Sequence, residues 1–188
     1  MKKYLDGTKR QYQICTSCVM DTTDSKIEFD EHGVCDFCND YYDNIKPSWH
    51  PVENNPELDA IAEKIRKAGK GKKHDCIIGL SGGVDSSYLC YIAKIKMKLN
   101  PLIFVVDTGW NLSVANDNIK RIITALDLDV HTEVVDWNEM KDLQLAFFKA
   151  QVPYQDMPQD HAIFAALYNY AVKNSIKYVL TGANNATE

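Results

Sequence analysis

The chain lacks any apolar run approaching the roughly 18 residues that a membrane-spanning helix needs. No apolar stretch follows its charged start, Met1-Lys2-Lys3-Tyr4-Leu5-Asp6. Neither a secretory leader nor a membrane anchor is expected, and the cytoplasm is the expected location. A basic surplus is also missing: 21 Lys and Arg stand against 26 Asp and Glu, a net charge of −5. A general nucleic-acid binder carries the opposite balance on its binding face, so nucleic acid is not an expected partner. Glycine and proline are few, nine and six in 188 residues, and no segment is repeated or low in complexity. With 45% apolar and 25% charged residues, the composition is that of one folded domain with at most a small annex.

Cysteine is unevenly placed. Cys15, Cys18, Cys35 and Cys38 form two C-x-x-C pairs separated by 16 residues, whereas Cys76 and Cys90 stand alone in apolar surroundings. The paired spacing falls in the range of four-thiolate zinc sites. Each short pair sets two sulfurs on one turn, and two such turns close a tetrahedron around Zn2+. With all four positions taken by protein, no place is left for water, so a structural ion is expected. Disulfides and a redox dithiol are the competing readings. A cytoplasmic setting disfavours the first, and a redox C-x-x-C occurs singly after a strand. Cys76 and Cys90 are expected as small buried hydrophobes.

Residues 1–50 show little helical periodicity and read as a zinc ribbon or knuckle with short hairpins, one around Glu31-His32-Gly33. Residues 51–73 read as a linker and a helix. Pro56-Glu57 opens that helix, Leu58, Ile61, Ala62 and Ile65 form its apolar side, and Gly69 stops it. Lys64 to Lys73 holds six basic and no acidic residues, the pattern of a solvated helix end or of a binding patch. Over residues 74–188 strands are predicted at 75–80, 102–106, 130–135 and 177–180. Helices are predicted at 84–99, 114–126, 137–150 and 160–174. Such alternation predicts an α/β fold, a parallel sheet with helices on both faces.

In open parallel sheets, ligands bind outside the carboxyl ends of the strands. The most specific segment there is Ser81-Gly82-Gly83-Val84-Asp85-Ser86-Ser87, directly after an apolar strand. Two glycines let the backbone turn tightly and approach an anion. The following helix offers free N–H groups and the positive end of its dipole. Ser81, Ser86 and Ser87 add hydroxyls, and together these make a phosphate cradle. It is neither the Walker loop, which ends in Gly-Lys-Ser/Thr, nor the dinucleotide fingerprint G-x-G-x-x-G. Without a lysine in the loop, Mg2+ must balance the charge, and Asp85 is the nearby carboxylate. A glycine turn with a serine helix cap is the competing reading.

This heptad resembles the pyrophosphate loop of the PP-loop ATPases, the N-type ATP pyrophosphatases, among them GMP synthetase, asparagine synthetase, NAD synthetase and several tRNA-thiolating enzymes. These cleave ATP between the α- and β-phosphates, attach AMP to a carbonyl oxygen, and let ammonia or a sulfur nucleophile displace it. The resemblance implies an adenine-nucleotide alpha-hydrolase-like fold using ATP and Mg2+. Ser81, Gly82, Gly83, Val84, Asp85, Ser86 and Ser87 would then surround pyrophosphate, with Asp85 toward Mg2+. Asp107 would sit where the family contacts adenosine; a turn residue is its competing reading. Gly182-Ala183-Asn184-Asn185-Ala186-Thr187-Glu188 resembles the NAD synthetase stretch whose last Glu binds Mg2+. Gly182 and Glu188 take those places, with an exposed terminal carboxylate as the other reading of Glu188.

The order of elements narrows the resemblance. The two C-x-x-C pairs, the S-G-G-V-D-S-S loop, Met157-Pro158-Gln159-Asp160-His161-Ala162 and T-G-A-N-N-A-T-E resemble the N-acetyl sugar amidotransferases, from about Cys15 to Glu188. These act in the biosynthesis of surface polysaccharides, such as the O-antigen of lipopolysaccharide, and of flagellin sugars. They convert the N-acetyl group of a nucleotide sugar to an acetamidino group. The resemblance implies a nucleotide-sugar substrate and makes Asp85, Ser86 and His161 candidate catalytic residues. Asp160 and His161 are expected to open the fourth helix, where a helix N-cap and a surface histidine are the competing reading. The family's chains are longer, so a domain incomplete at its C-terminal side is expected.

A glutaminase needs an activated cysteine nucleophile. No cysteine follows Met1, no Gly-x-Cys-x-Gly elbow is present, and four of the six cysteines read as zinc ligands. A separate glutaminase subunit is therefore the expected source of ammonia. The nearest rival is a zinc-containing tRNA thiolase, disfavoured by the acidic charge and by having only Cys76 and Cys90 to spare. A nucleotide-binding module without activity is the third reading.

Overall fold

The structure, a computed structural model, describes residues 2–3, 9–49, 55–152 and 154–183. It divides into two compact units, one within Met1–Glu53 and one within Asn54–Ala183.

In the first unit β1 (Lys2–Lys3) pairs antiparallel with β2 (Lys9–Arg10). Two tight turns follow, closed by isolated antiparallel bridges between Ile14 and Asp21 and between Phe29 and Cys35. Inside the second turn Asp30 accepts the N–H groups of His32 and Val34 on one carboxylate oxygen, both at 2.9 Å. Its other oxygen accepts from Asn39. Gly33 takes the left-handed conformation, φ +76°, that turns the chain back. This is the hairpin expected around Glu31-His32-Gly33. Helix α1 (Asp36–Asp40) starts directly after Cys35 and runs on into a π-turn at Tyr41–Ile45. Cys15, Ile27 and Cys35 are the buried core. So small a core needs a further staple to hold a fold.

The second unit opens with α2 (Pro56–Gly69). Asn55 caps it by accepting the Glu57 N–H at 2.9 Å, and Pro56 fills the first position, where no N–H is needed. The chain continues as β3 (Cys76–Gly79), α3 (Val84–Tyr91), β4 (Pro101–Asp107), α4 (Ser113–Leu126), β5 (Asp129–Val134), α5 (Trp137–Ala150), α6 (Met157–Lys173) and β6 (Val179–Leu180). The four strands are parallel, in the order β5-β4-β3-β6.

Alternate residues of the central strands face opposite layers. Cys76, Ile78, Ile103 and Val105 pack with Ala62, Ile65, Cys90, Ala93 and Ile119, from α2, the α3 segment and α4. Ile77, Leu102 and Phe104 pack with Leu167 and Ala171 of α6. Each fully buried Ile or Phe here stabilises the fold by about 2 kcal/mol. The fold is the expected α/β arrangement with helices on both faces.

Some boundaries move. Regular helix in α3 ends at Tyr91 rather than Leu99, and a π-turn, Ile92–Lys96, carries the chain to Lys98, whose φ is +54°. The wider turn lets Ala93, Met97 and Leu99 all reach the core. Helix α6 begins at Met157, three residues before the expected start, because Pro158 is tolerated in a first turn. Ile61, assigned to the apolar side of α2, is half exposed.

The basic run of Lys64 to Lys73 is largely spent on contacts within this unit. Arg66 donates to the Met97 carbonyl and pairs with Glu63 at 2.9 Å, Lys73 meets Asp129 at 3.1 Å, and Lys72 donates to the Ser175 carbonyl. These contacts tie the α2–β3 connection to the amino ends of the sheet. None of the described helices is long and apolar enough to cross a membrane.

Candidate functional site

The loop between β3 and α3 can be built only with glycine at its centre. Gly82 has φ +80°, and a Cβ there would lie 2.4 Å from the carbonyl oxygen of Ala115 in the first turn of α4. Past it, Gly83 adopts extended backbone and α3 begins at Val84, so the free N–H groups of the first turn open at the end of β3. The hydroxyls of Ser81 and Ser86 lie 3.1 Å apart across the loop, and the Gly83 N–H approaches Ser81 Oγ at 3.4 Å. The Gly83 N–H thus donates to Ser81 Oγ, and Ser86 Oγ also donates to the Gly83 carbonyl at 3.4 Å, so the loop closes on itself through its serines. Ser87, also expected to face phosphate, donates its hydroxyl back to the Gly83 carbonyl.

Sheet order brings the expected third segment to the same place. Ile78 of β3 pairs with Leu180 of β6, so Thr181 and Gly182 leave the sheet beside Ser81. A Cβ on Gly182 would sit 3.1 Å from the Ser86 nitrogen, so the two backbones touch. Asp85 is exposed on the first turn of α3, and its carboxylate accepts no hydrogen bond among the described residues. A lone exposed carboxylate is one of the ligands that hydrated Mg2+ takes together with substrate phosphates and waters. Glu188, the other expected magnesium ligand, lies outside the described residues.

Beside the loop a cavity of about 250 Å3 opens at the carboxyl ends of β3, β4 and β6. Its walls are mainly apolar, with Leu80, Phe104, Val106, Ile163, Phe164 and Leu167, and a few polar groups converge on it: Ser81, Thr108, Asn111, Gln159 and Thr181. Strands β3 and β6 are neighbours preceded by helices on opposite faces, the crevice where ligands bind in such sheets. Thr108 is buried, and its hydroxyl donates to Gln159 Oε1 at 3.2 Å.

Not every expected residue is gathered here. Asp107 ends β4, and one of its carboxylate oxygens accepts the Gly109 N–H at 2.9 Å, shaping the turn. His161 and Asp160 lie outside the cavity, in a separate depression with Tyr154, Asp156 and Met157. Asp160 is not a helix N-cap, since α6 starts earlier and Asp156 occupies that position. Gln159, two residues before His161, reaches the cavity instead. The signal was its spacing, four and eight residues before Ile163 and Leu167, which share one side of α6. Two residues of α4, outside the segments that the sequence singles out, also meet the loop. Asn118 donates to the Gly82 carbonyl at 3.1 Å, and Arg121 lines a shallow hollow with Gly82, Gly83 and Ser87 on the α4 side of the loop.

In the first unit the four expected cysteines converge. Their sulfurs all lie within 4.8 Å of one another, with Cys18 and Cys35 at 3.7 Å and Cys15 and Cys38 at 4.0 Å. Four zinc–sulfur bonds of about 2.3 Å require sulfurs about 3.8 Å apart, so the cluster fits a tetrahedral ion. All four thiols are free of disulfides. Burial pushes the Cys15 thiol up, but N–H groups of Cys35, Ser17 and Cys18 outweigh it and hold the thiol at about 6. Burial sends Cys35 the other way, up to about 12. Cys76 and Cys90 are fully buried, as expected, and burial raises them to about 12 and about 11.

No family model matches the chain. An uncharacterized protein of Methanocaldococcus jannaschii is 25% identical over 169 residues, covering 89% of this chain and 58% of its own length. The chain therefore spans little more than half of the curated relative it matches. Among solved structures, the glutamine-dependent NAD+ synthetase of Acinetobacter baumannii, in complex with ADP, superposes with a TM-score of 0.53 at 16% identity, over 74% of this chain and 27% of that one. The NH3-dependent NAD synthetase of Campylobacter jejuni gives 0.49 at 18% identity, over 71% and 58%. The chain thus shares a parallel α/β fold with that NAD+ synthetase.

Proposed function

We propose that this chain is the nucleotide-binding part of an ATP-dependent, AMP-forming amidotransferase. It adenylates the N-acetyl oxygen of a nucleotide sugar and replaces it with ammonia, giving an acetamidino sugar for surface polysaccharide or flagellin glycan. The observation that carries the reading is the loop of residues 81–87. Ser86 Oγ and the Gly83 N–H both meet Ser81 Oγ there, at a helix N-terminus beside an apolar cavity at the crevice of the sheet. A purine suits the apolar cavity, and a leaving pyrophosphate suits the loop. A neighbour in fold that binds ADP supports the same ligand class.

An amide oxygen is a poor leaving group. In the proposed reaction it attacks the α-phosphorus, and the bond to the bridging oxygen of pyrophosphate breaks. The loop N–H groups, with Ser81 and Ser86, take up the charge that develops on pyrophosphate. Mg2+, when bound, would neutralise phosphate charge, with Asp85 as its ligand. Ammonia then adds to the imidate carbon, the carbon–oxygen bond breaks, AMP departs, and loss of a proton leaves the amidine. His161, on an exposed turn of α6, is proposed to meet the sugar side and accept that proton. Ammonia is proposed to come from a separate glutaminase, and the four-cysteine centre to hold a structural Zn2+ that takes no part in the reaction.

A thiolase acting on tRNA needs an accessible catalytic thiol. Outside the four-cysteine cluster only Cys76 and Cys90 remain, both buried with raised pKa values. ATP–pyrophosphate exchange, run with UDP-linked N-acetyl sugars and with tRNA, separates the readings. Exchange dependent on the sugar is expected; exchange only with tRNA would install the thiolase, and ATP binding without exchange would leave a nucleotide-binding module.

A further inference from the structure

We propose that Asn118 is a positioning residue that fixes the anion-gripping conformation of the loop. The inference rests on the reading that this loop binds the phosphates of ATP. Asn118 stands on α4, and its side-chain amide donates to the Gly82 carbonyl at 3.1 Å. A trans peptide is planar, so the C=O of one residue and the N–H of the next point in opposite directions. Holding the Gly82 oxygen toward α4 therefore turns the Gly83 N–H away from α4. That N–H donates to Ser81 Oγ, which also meets Ser86 Oγ, and an arriving anion would compete with the Ser81 hydroxyl for it.

The link matters because glycine cannot hold this peptide plane by itself. Gly82, at φ +80°, and its neighbour Gly83 have more conformational freedom than any other residue pair. Without an anchor the Gly82–Gly83 peptide can flip, presenting a carbonyl oxygen to the anion in place of an N–H. Packing of Gly82 on the Ala115 carbonyl sets where the loop lies, and Asn118 sets which way its peptide faces. Asn118 touches no ligand in this scheme and acts through Gly83.

The test is titration of the chain with inorganic pyrophosphate and Mg2+ by calorimetry, well below the melting temperature of each variant. Asn118→Asp keeps the shape but replaces the donor with a carboxylate that repels the Gly82 carbonyl. Its affinity is expected to fall about tenfold, the order of one hydrogen bond lost to the folded loop. Asn118→His offers a ring N–H at similar reach and is expected to stay within about threefold of the unaltered chain. The amide resonance of Gly83 should move in the Asp variant and not in the His variant. Undiminished binding by Asn118→Asp, or equal losses in both variants, overturns the inference. An unaltered chain that binds no pyrophosphate overturns the phosphate reading itself, a result distinct from either.

Discussion

Gly82 is the position at which a single methyl group separates this loop from an ordinary turn. Its backbone is left-handed, and the space a Cβ needs is taken by the Ala115 carbonyl. Gly82→Ala is expected to destabilise the second unit by about 2 kcal/mol, combining positive-φ strain with overpacking. It should also abolish pyrophosphate binding, and a melting curve read beside a binding titration separates the two effects. Cys76 and Cys90 make a second residue-scale case. Burial keeps both thiols protonated and inaccessible, so in metal-loaded protein neither should react with a thiol reagent until the chain unfolds. Prompt labelling of either in the native protein would restore a candidate nucleophile. Their burial was legible from their apolar neighbours. Spacing puts Gln159 on one side of α6 with Ile163 and Leu167, but which side faces the carboxyl ends of the strands was not legible, because packing sets it.

At the scale of elements, the cysteine turns show how far spacing alone can carry. Two C-x-x-C pairs imply two turns, and the structure supplies what closes them: Thr16 N–H to the Gly33 carbonyl at 3.0 Å and Cys35 N–H to Cys15 Sγ at 3.2 Å. One zinc per chain is expected by metal analysis. Cys35→Ser should lower that content and unfold residues 9–49, because the apolar core there is too small to persist alone. The sheet unit should melt as before in the same variant, which circular dichroism with two transitions would resolve. The end of α3 was less legible. Apolar residues continue to Leu99, as a helix requires, but a π-turn serves the same burial with one residue more.

Across the sheet unit, the two ends of the strands serve different purposes. The carboxyl ends carry the loop and the cavity, and the amino ends carry the ties made by Arg66, Lys72 and Lys73. His74 lies at the amino end, its Nδ1 buried without a hydrogen-bond partner and its Nε2 3.6 Å from Asp129. Burial lowers its pKa below the usual 6.5, against the pull of Asp129. The folded state therefore holds fewer protons than the unfolded state below that value, so stability is intact above about pH 6.5 and declines as pH falls through the lowered value. Melting temperatures from pH 7.5 to 5 should show that decline, and His74→Gln should flatten it. Pyrophosphate affinity in the His74→Gln variant should match that of the unaltered chain, because the site lies at the other end of the strands. An unchanged slope would assign the acid sensitivity elsewhere.

Periodicity by itself determined the alternation of strands and helices, because burial of one stripe or both strand faces must be written into the order of apolar residues. Local chemistry was readable in the same way wherever it is contiguous: the glycines and serines of residues 81–87, and the sulfurs paired two residues apart. Only the tertiary structure decided which distant segments meet. It set β6 beside β3, bringing Gly182 against the first turn of α3, and laid α4 across the loop so that Asn118 reaches Gly82. It also turned Gln159 rather than His161 toward the cavity. The physical reason is that strand order and helix rotation are fixed by packing summed over the whole core, which no short stretch of sequence contains.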